Sequence, residues 1–258
     1  MIAPGFAGVE TQLWIWLVAM IRPGAAFIAA PVFGAPSVPV QIRLILSLAI
    51  GMAALNSVTI TLPPGGVVTI QGFAMVGGEV LTGLALGFTL QIAYAAAFLG
   101  GETIGNAMGL GFASMVDPQS GVSTQVVGQF LSILTTFILL ALDGHLMLIR
   151  FVVDSYKALP PGALMPNSAI HDLVWFGGSC FGAGLTIALP VAFSIIMVQM
   201  VMGVLARSAP TLNLFSVGLP ATLFAGLVLL AIAAPIMADS IGDAISNALD
   251  MTQTLAGG

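Results

Sequence analysis

The chain reads as long apolar runs separated by a few glycine-, proline- or polar-rich breaks. A helix needs about 20 apolar residues to cross a hydrocarbon core of ~30 Å, and that length sorts the runs. Leu13–Phe33 is the first; Trp14 and Trp16 suit an interfacial aromatic belt, and Pro23 and Pro31 are expected to bend or end it. Val40–Ile60 follows the turn Gly34-Ala35-Pro36-Ser37, carries Arg43 near its start, and is followed by the break Pro63-Pro64-Gly65-Gly66.

Three later runs are over-long: Val68–Leu99, Val126–Val153 and Leu173–Leu205. At 1.5 Å per residue the first would extend about 48 Å as one helix. Gly77-Gly78 is placed to bend it, and Gly83-x-x-x-Gly87 offers a small-residue face for close helix approach. Asp143-Gly144-His145 interrupts the second, and Pro190 is expected to kink the third. A polar connection, Asp154–Asp172, separates the last two. A further run extends from about Gly218 to Met237 behind a hairpin tip, Ala206–Val217. In the tail, Ala238–Leu255, Ile241, Ile245 and Leu249 recur at helical spacing, which predicts a short amphipathic helix. The expected fold is all-α and polytopic: about six long apolar helices, several kinked, ending in a helical hairpin.

Composition supports a membrane class. Of 258 residues 59% are hydrophobic and only 6% charged, and the mean hydropathy is +1.12; soluble domains carry about 25% charged residues. The net charge of −5 gives no basic patch for nucleic acid. Cys180 is the single cysteine and has no intramolecular disulfide partner. Residues 1–12 contain Glu10 and no Lys or Arg, so a cleavable signal peptide is not expected. Basic residues fall on both sides of a six-segment arrangement and do not orient it. Over-long helices in triplicate suggest packing against other protein rather than lipid alone.

The stretch Gly101–Gln125 is the one long, weakly apolar interruption. A loop at membrane depth must be buried in protein or line a cavity, because lipid offers its backbone no hydrogen-bond partners. Gly101, Gly105 and Gly109 form a GxxxGxxxG run expected to pack closely on a neighbour. Ile104, Met108, Phe112 and Met115 lie on the adjacent face, where they serve either as core or as a deformable seal, Met being soft and adaptable. Asp117-Pro118-Gln119-Ser120 suits a type I turn, with Gly121 free to take positive φ. Gly109-x-Gly111 lacks the Gly-Lys-Ser/Thr and strand context of a phosphate loop.

Glu79, Glu102, Asp143 and His145 are the candidate buried polar contacts. An ionisable group inside an apolar helix is a functional candidate, for instance in a proton relay, and a structural contact between crowded helices is its plainer role. Asp143 and His145 are two residues apart, which turns them to different faces of one helix. No HExxH, GxSxG or paired-Asp pattern supports an intramembrane hydrolase, and no catalytic, cofactor or metal site is expected.

Three motifs carry a family resemblance. Met108–Phe130 (MGLGFASMVDPQSGVSTQVVGQF), Leu140–Pro161 (LALDGHLMLIRFVVDSYKALPP) and the hairpin tip Met202–Pro220 (MGVLARSAPTLNLFSVGLP), which holds Arg207, Pro210 and Asn213, resemble the FliR family of flagellar biosynthetic proteins. That resemblance implies a non-enzymatic component of the type III protein export gate, in the inner membrane within the flagellar basal body. It implies assembly with FliP and FliQ into one helical complex, FlhB and FlhA as further partners, and unfolded flagellar subunits as cargo. Residues 1–160 would be FliP-like and residues 173–258 a FliQ-like hairpin plus tail. Residues 101–125 would hold the plug of the channel, with Met108, Phe112 and Met115 at its apolar positions and Gly105, Gly109, Gly111, Asp117, Pro118 and Gly121 shaping it. The rival is a small-molecule secondary transporter coupled through Glu79 or His145.

Overall fold

Residues 7–56, 58–111, 126–208 and 217–257 are described by a computed structural model of the chain, and their regular structure is helical throughout. Seven α-helices follow in order among them: α1 Ala7–Ala29, α2 Val40–Ala54, α3 Ile70–Ala107, α4 Val126–Ala141, α5 Gly144–Ala158, α6 Asn167–Ser208 and α7 Leu219–Leu255. Four of them (α1, α3, α6 and α7) are long and apolar enough to cross a membrane, and α4 with α5 makes a fifth if they are one broken span.

Several expected boundaries move, each for a local reason. Pro23 lies inside α1 without ending it. The second run yields only the 15 residues of α2, too few for a ~30 Å crossing. Leu55 and Asn56 close its end through N–H bonds to Gly51 and Ala53. Beyond them Val58, Thr59, Ile60 and Thr61 are β-branched and precede Pro63, which disfavours continued helix. The third run starts at a cap: the Thr69 hydroxyl accepts the Gly72 N–H at 3.1 Å. It then continues through Gly77 and Gly78 to Ala107, 38 residues in all, so the first seven residues of the expected loop 101–125 are its last two turns. The fourth run breaks at Leu142-Asp143, where Asp143 adopts φ 53°, a left-handed conformation that Asp tolerates better than most residues. The tail is no separate amphipathic helix. It continues α7 through Pro235, and Ile241, Ile245 and Leu249 are all buried.

The described chain forms two compact units, both drawing on early and late segments. The first comprises Met1–Ile92, Leu142–Gly177 and Ile245–Gly258, and the second Ala93–Ala141 and Gly178–Ala244. In the first unit Val18, Ala19, Ile60, Val67 and Met75 form a core against which Trp14, Ile15 and Leu55 pack. Small residues set the approach of its helices. A Cβ at Gly51 would stand 2.5 Å from the Ala19 carbonyl oxygen, and one at Gly83 would stand 2.7 Å from Ala25 Cβ. Gly87 likewise faces the Ala26 backbone. Gly83 and Gly87 thus form the strip of α3 on which α1 lies. In the second unit Gly100 of α3 meets Gly184 of α6, where an added Cβ would stand 3.0 Å from the Gly184 carbonyl oxygen.

Candidate functional site

The end of α3 is where the central stretch begins, and its local structure follows from three glycines with three different tasks. Gly101 is a contact: a Cβ there would lie 2.5 Å from Gly128 Cα on α4. Gly105 is looser, with Val127 3.8 Å from where its Cβ would be. Gly109 is a terminator. Its φ is 85°, its N–H bonds to the Asn106 carbonyl at 3.0 Å, and the Leu110 N–H bonds to the Gly105 carbonyl at 3.0 Å. Those two bonds with a left-handed glycine make a Schellman cap, and the Leu110 side chain closes over Gly105, 3.9 Å from where a Cβ would be.

Side chains from two other helices of the second unit hold this end. Gln199 of α6 donates from Nε2 to the Ala107 carbonyl at 2.8 Å. The Thr222 hydroxyl of α7 is shared between the Leu219 carbonyl at 3.0 Å and the Met108 carbonyl at 3.4 Å. The last carbonyls of a helix lack intrahelical partners, and these two donors supply them. Met108 is buried, and its side chain fills a notch at Gly226, where an added Cβ would be 2.5 Å from Met108 Cγ and 2.9 Å from Sδ. Ile104, one turn earlier, is fully buried. Glu102 is half-buried and lies across Gly128, its Oε1 2.9 Å from where a Cβ would be. Gly111 sits beside the Asn106 side chain, and Arg207 is exposed near the end of α6. Phe112, Met115, Asp117, Pro118, Gly121, Pro210 and Asn213 lie outside the described residues.

A second cluster occupies the first unit, and its central residue has no place in the pattern of candidate residues taken from the sequence. Arg22 of α1 and Glu79 of α3 are both fully buried and paired. The pairing is bidentate: Nε donates to Glu79 Oε2 at 2.9 Å and Nη2 to Oε1 at 2.8 Å. Nη2 also donates to the Leu159 carbonyl at 2.8 Å, and Nη1 to the Ser155 hydroxyl at 3.0 Å. The guanidinium carbon lies 4.1 Å from the centroid of the Tyr156 ring. Arg22 thus also caps the end of α5, whose terminal carbonyls attract a cation. Removing one partner of a buried pair of this kind costs about 3–5 kcal/mol, because the other charge is stranded. The signal for it lay in the sequence as one Arg and one Glu, each alone in an apolar run.

Asp143 is exposed at the α4–α5 break, while His145 is half-buried with a buried Nδ1 that has no partner. Both Glu79 oxygens are committed to the Arg22 guanidinium, an arrangement suited to holding helices together. Among the described residues no group of three or more His, Cys, Asp or Glu is arranged to hold a metal.

The second unit leaves much apolar surface uncovered. Phe181, Phe193 and Val204 on α6 and Phe224 and Ile232 on α7 are each more than half exposed. An open groove of about 600 Å³ lies between α4 and α7, lined by Phe130 and Leu134 on one side and Leu227, Leu230 and Met237 on the other.

Comparison with known proteins gives one consistent result. Residues 13–248 match the family described as bacterial export proteins, family 1. The chain is 36% identical over 230 residues to the flagellar biosynthetic protein FliR of Escherichia coli K12, covering 88% of this chain and 86% of that protein. Identity to FliR of Pectobacterium carotovorum is 32% over 232 residues, 90% of this chain and 88% of the relative. FliR of Bacillus subtilis is 29% identical over 219 residues, 83% and 84% of the two chains.

Proposed function

The chain belongs to the FliR family of bacterial export proteins, and from that premise we propose that it forms part of the channel of the flagellar type III export gate and carries the plug that seals it at rest. It is a membrane component of flagellar export, with helical spans and no enzymatic role. Its place is the inner membrane within the basal body. Its partners in the gate are FliP and FliQ, with FlhB and FlhA alongside, and unfolded flagellar subunits pass through. Residues 1–160 stand in for a FliP-like subunit and residues 173–258 for a FliQ-like hairpin and tail.

The observation that supports a plug is the anchored end of α3. A segment that closes an aperture needs a fixed root, and here the root is capped by Gly109, bonded by Gln199 and Thr222, and wedged by Met108 against Gly226. The apolar faces of α6 and α7 fit a subunit that is covered by others in the assembly.

The test is removal of residues 111–121, which spares α3 and its cap. The assembled gate should still form, recovered with FliP and FliQ, and the membrane should leak ions. An assembled deletion variant in a tight membrane would refute the plug. Changing Met108, Phe112 and Met115 together to Ala should give a smaller leak. Purification as a monomer or symmetric dimer that exchanges a small solute would instead favour a secondary transporter.

A further inference from the structure

Every hydrogen bond that the Arg22 side chain makes goes to a residue far ahead in the chain: Glu79, 57 residues later, Ser155, 133 later, and the Leu159 carbonyl, 137 later. None of these partners is supplied by α1 or α2. Arg22 sits seven residues before the end of α1, about 10 Å along the helix axis, and its side chain is wholly buried. A charge at such a position, without partners, disfavours a settled apolar environment for its helix. The same holds in reverse for Glu79 in α3.

We propose that the Arg22–Glu79 pair makes the final embedded position of α1 conditional on α3 and α5, so that the first unit is completed in one concerted step. Helix α1 is long and apolar enough to cross a membrane by composition, yet its buried guanidinium is satisfied only after α3 and the end of α5 have entered. Glu79 removes the net charge and accepts two N–H donors, Ser155 and the Leu159 carbonyl take two of the other three, and the Tyr156 ring covers the guanidinium face. The glycine strip at Gly83 and Gly87 lets α3 approach α1 closely enough for the pair to form. Until then α1 is free to shift or withdraw.

The experiment uses the full chain in native membranes, in a Cys180→Ser background with Leu13→Cys as reporter near the start of α1. A membrane-impermeant thiol reagent is applied to right-side-out and inverted vesicles. The parent should label from one side. Glu79→Gln should strand the Arg22 charge and change the ratio of labelling between the two sides on the order of tenfold, or remove the chain from the membrane fraction. Arg22→Leu with Glu79→Leu removes both charges and should restore one-sided labelling at the parental level. Parental labelling of Glu79→Gln would overturn the proposal. So would identical behaviour of the single and double variants, whether both are one-sided, both mixed or both lost.

Discussion

The Tyr156 hydroxyl donates a 2.8 Å hydrogen bond to the Ala19 carbonyl, the carbonyl that Pro23, four residues on and without an N–H, cannot serve. A proline in a membrane-type helix leaves one acceptor orphaned, and a neighbouring side chain is one of the few groups able to fill it. Here α5 supplies that group to α1. The same Ala19 carbonyl faces Gly51 of α2, so three helices meet at a single peptide unit.

Tyr156→Phe should therefore destabilise the protein by about 1–3 kcal/mol, the penalty of a buried acceptor left unpaired. Pro23→Ala restores the helical N–H. In a Pro23→Ala background the same Tyr156 change should have a much smaller effect. Thermal unfolding of the four proteins in detergent measures the difference, and equal effects in both backgrounds would show that the hydroxyl acts elsewhere.

Glycines along α3 should divide sharply. Gly101→Ala drives a methyl into Gly128 Cα and should cost about 1–3 kcal/mol by overpacking. Gly77→Ala meets nothing within 4 Å and should stabilise the helix by about 0.5–1 kcal/mol. Melting temperatures of the two variants should move in opposite directions.

At the cap, Gly109→Ala places a side chain at φ 85°, a strain of about 1–2 kcal/mol. Gly105→Ala, whose Cβ would meet only atoms at 3.8 Å or beyond, should be far milder. If the capped end of α3 is the root of a seal, Gly109→Ala should also raise resting ion leak through the assembled gate, and Gly105→Ala should not.

Gln199→Ala and Thr222→Val each remove one donor from the end of α3. Singly they should leave assembly unchanged; together they should increase resting conductance measurably. Gly226→Val, which displaces Met108 from its notch, should give a larger conductance than either. Patch or flux recordings on reconstituted gates separate these outcomes from loss of assembly.

Hydropathy made the long helices legible, because runs of apolar residues this long admit few other structures in lipid. It located their ends poorly. The α3 boundary was hidden because Gly101 looks like a loop residue but serves packing, while Gly109 carries the stop. The tail looked separate because acidic residues enter the sequence after Met237, yet α7 carries on through Pro235 and its apolar stripe continues through the buried Ile241, Ile245 and Leu249. At the candidate site, Met108 could be named from the sequence, but Gln199, Thr222 and Gly226 could not, since they come from distant segments that only the fold brings together. Arg22 escaped for the same reason. Its partner lies 57 residues away, and no local periodicity links the two.

The bidentate contact between Arg22 and Glu79 also constrains how this sequence can change over generations. A substitution that removes the charge at either position alone leaves the other charge unpaired in a buried site, so the intermediate is worse than both ends of the path. The swapped pair is no neutral alternative, because a carboxylate at position 22 would face the Leu159 carbonyl, which now accepts from Arg22. The two codons are therefore tied to each other, and loss of the charge at one is tolerated only with its loss at the other.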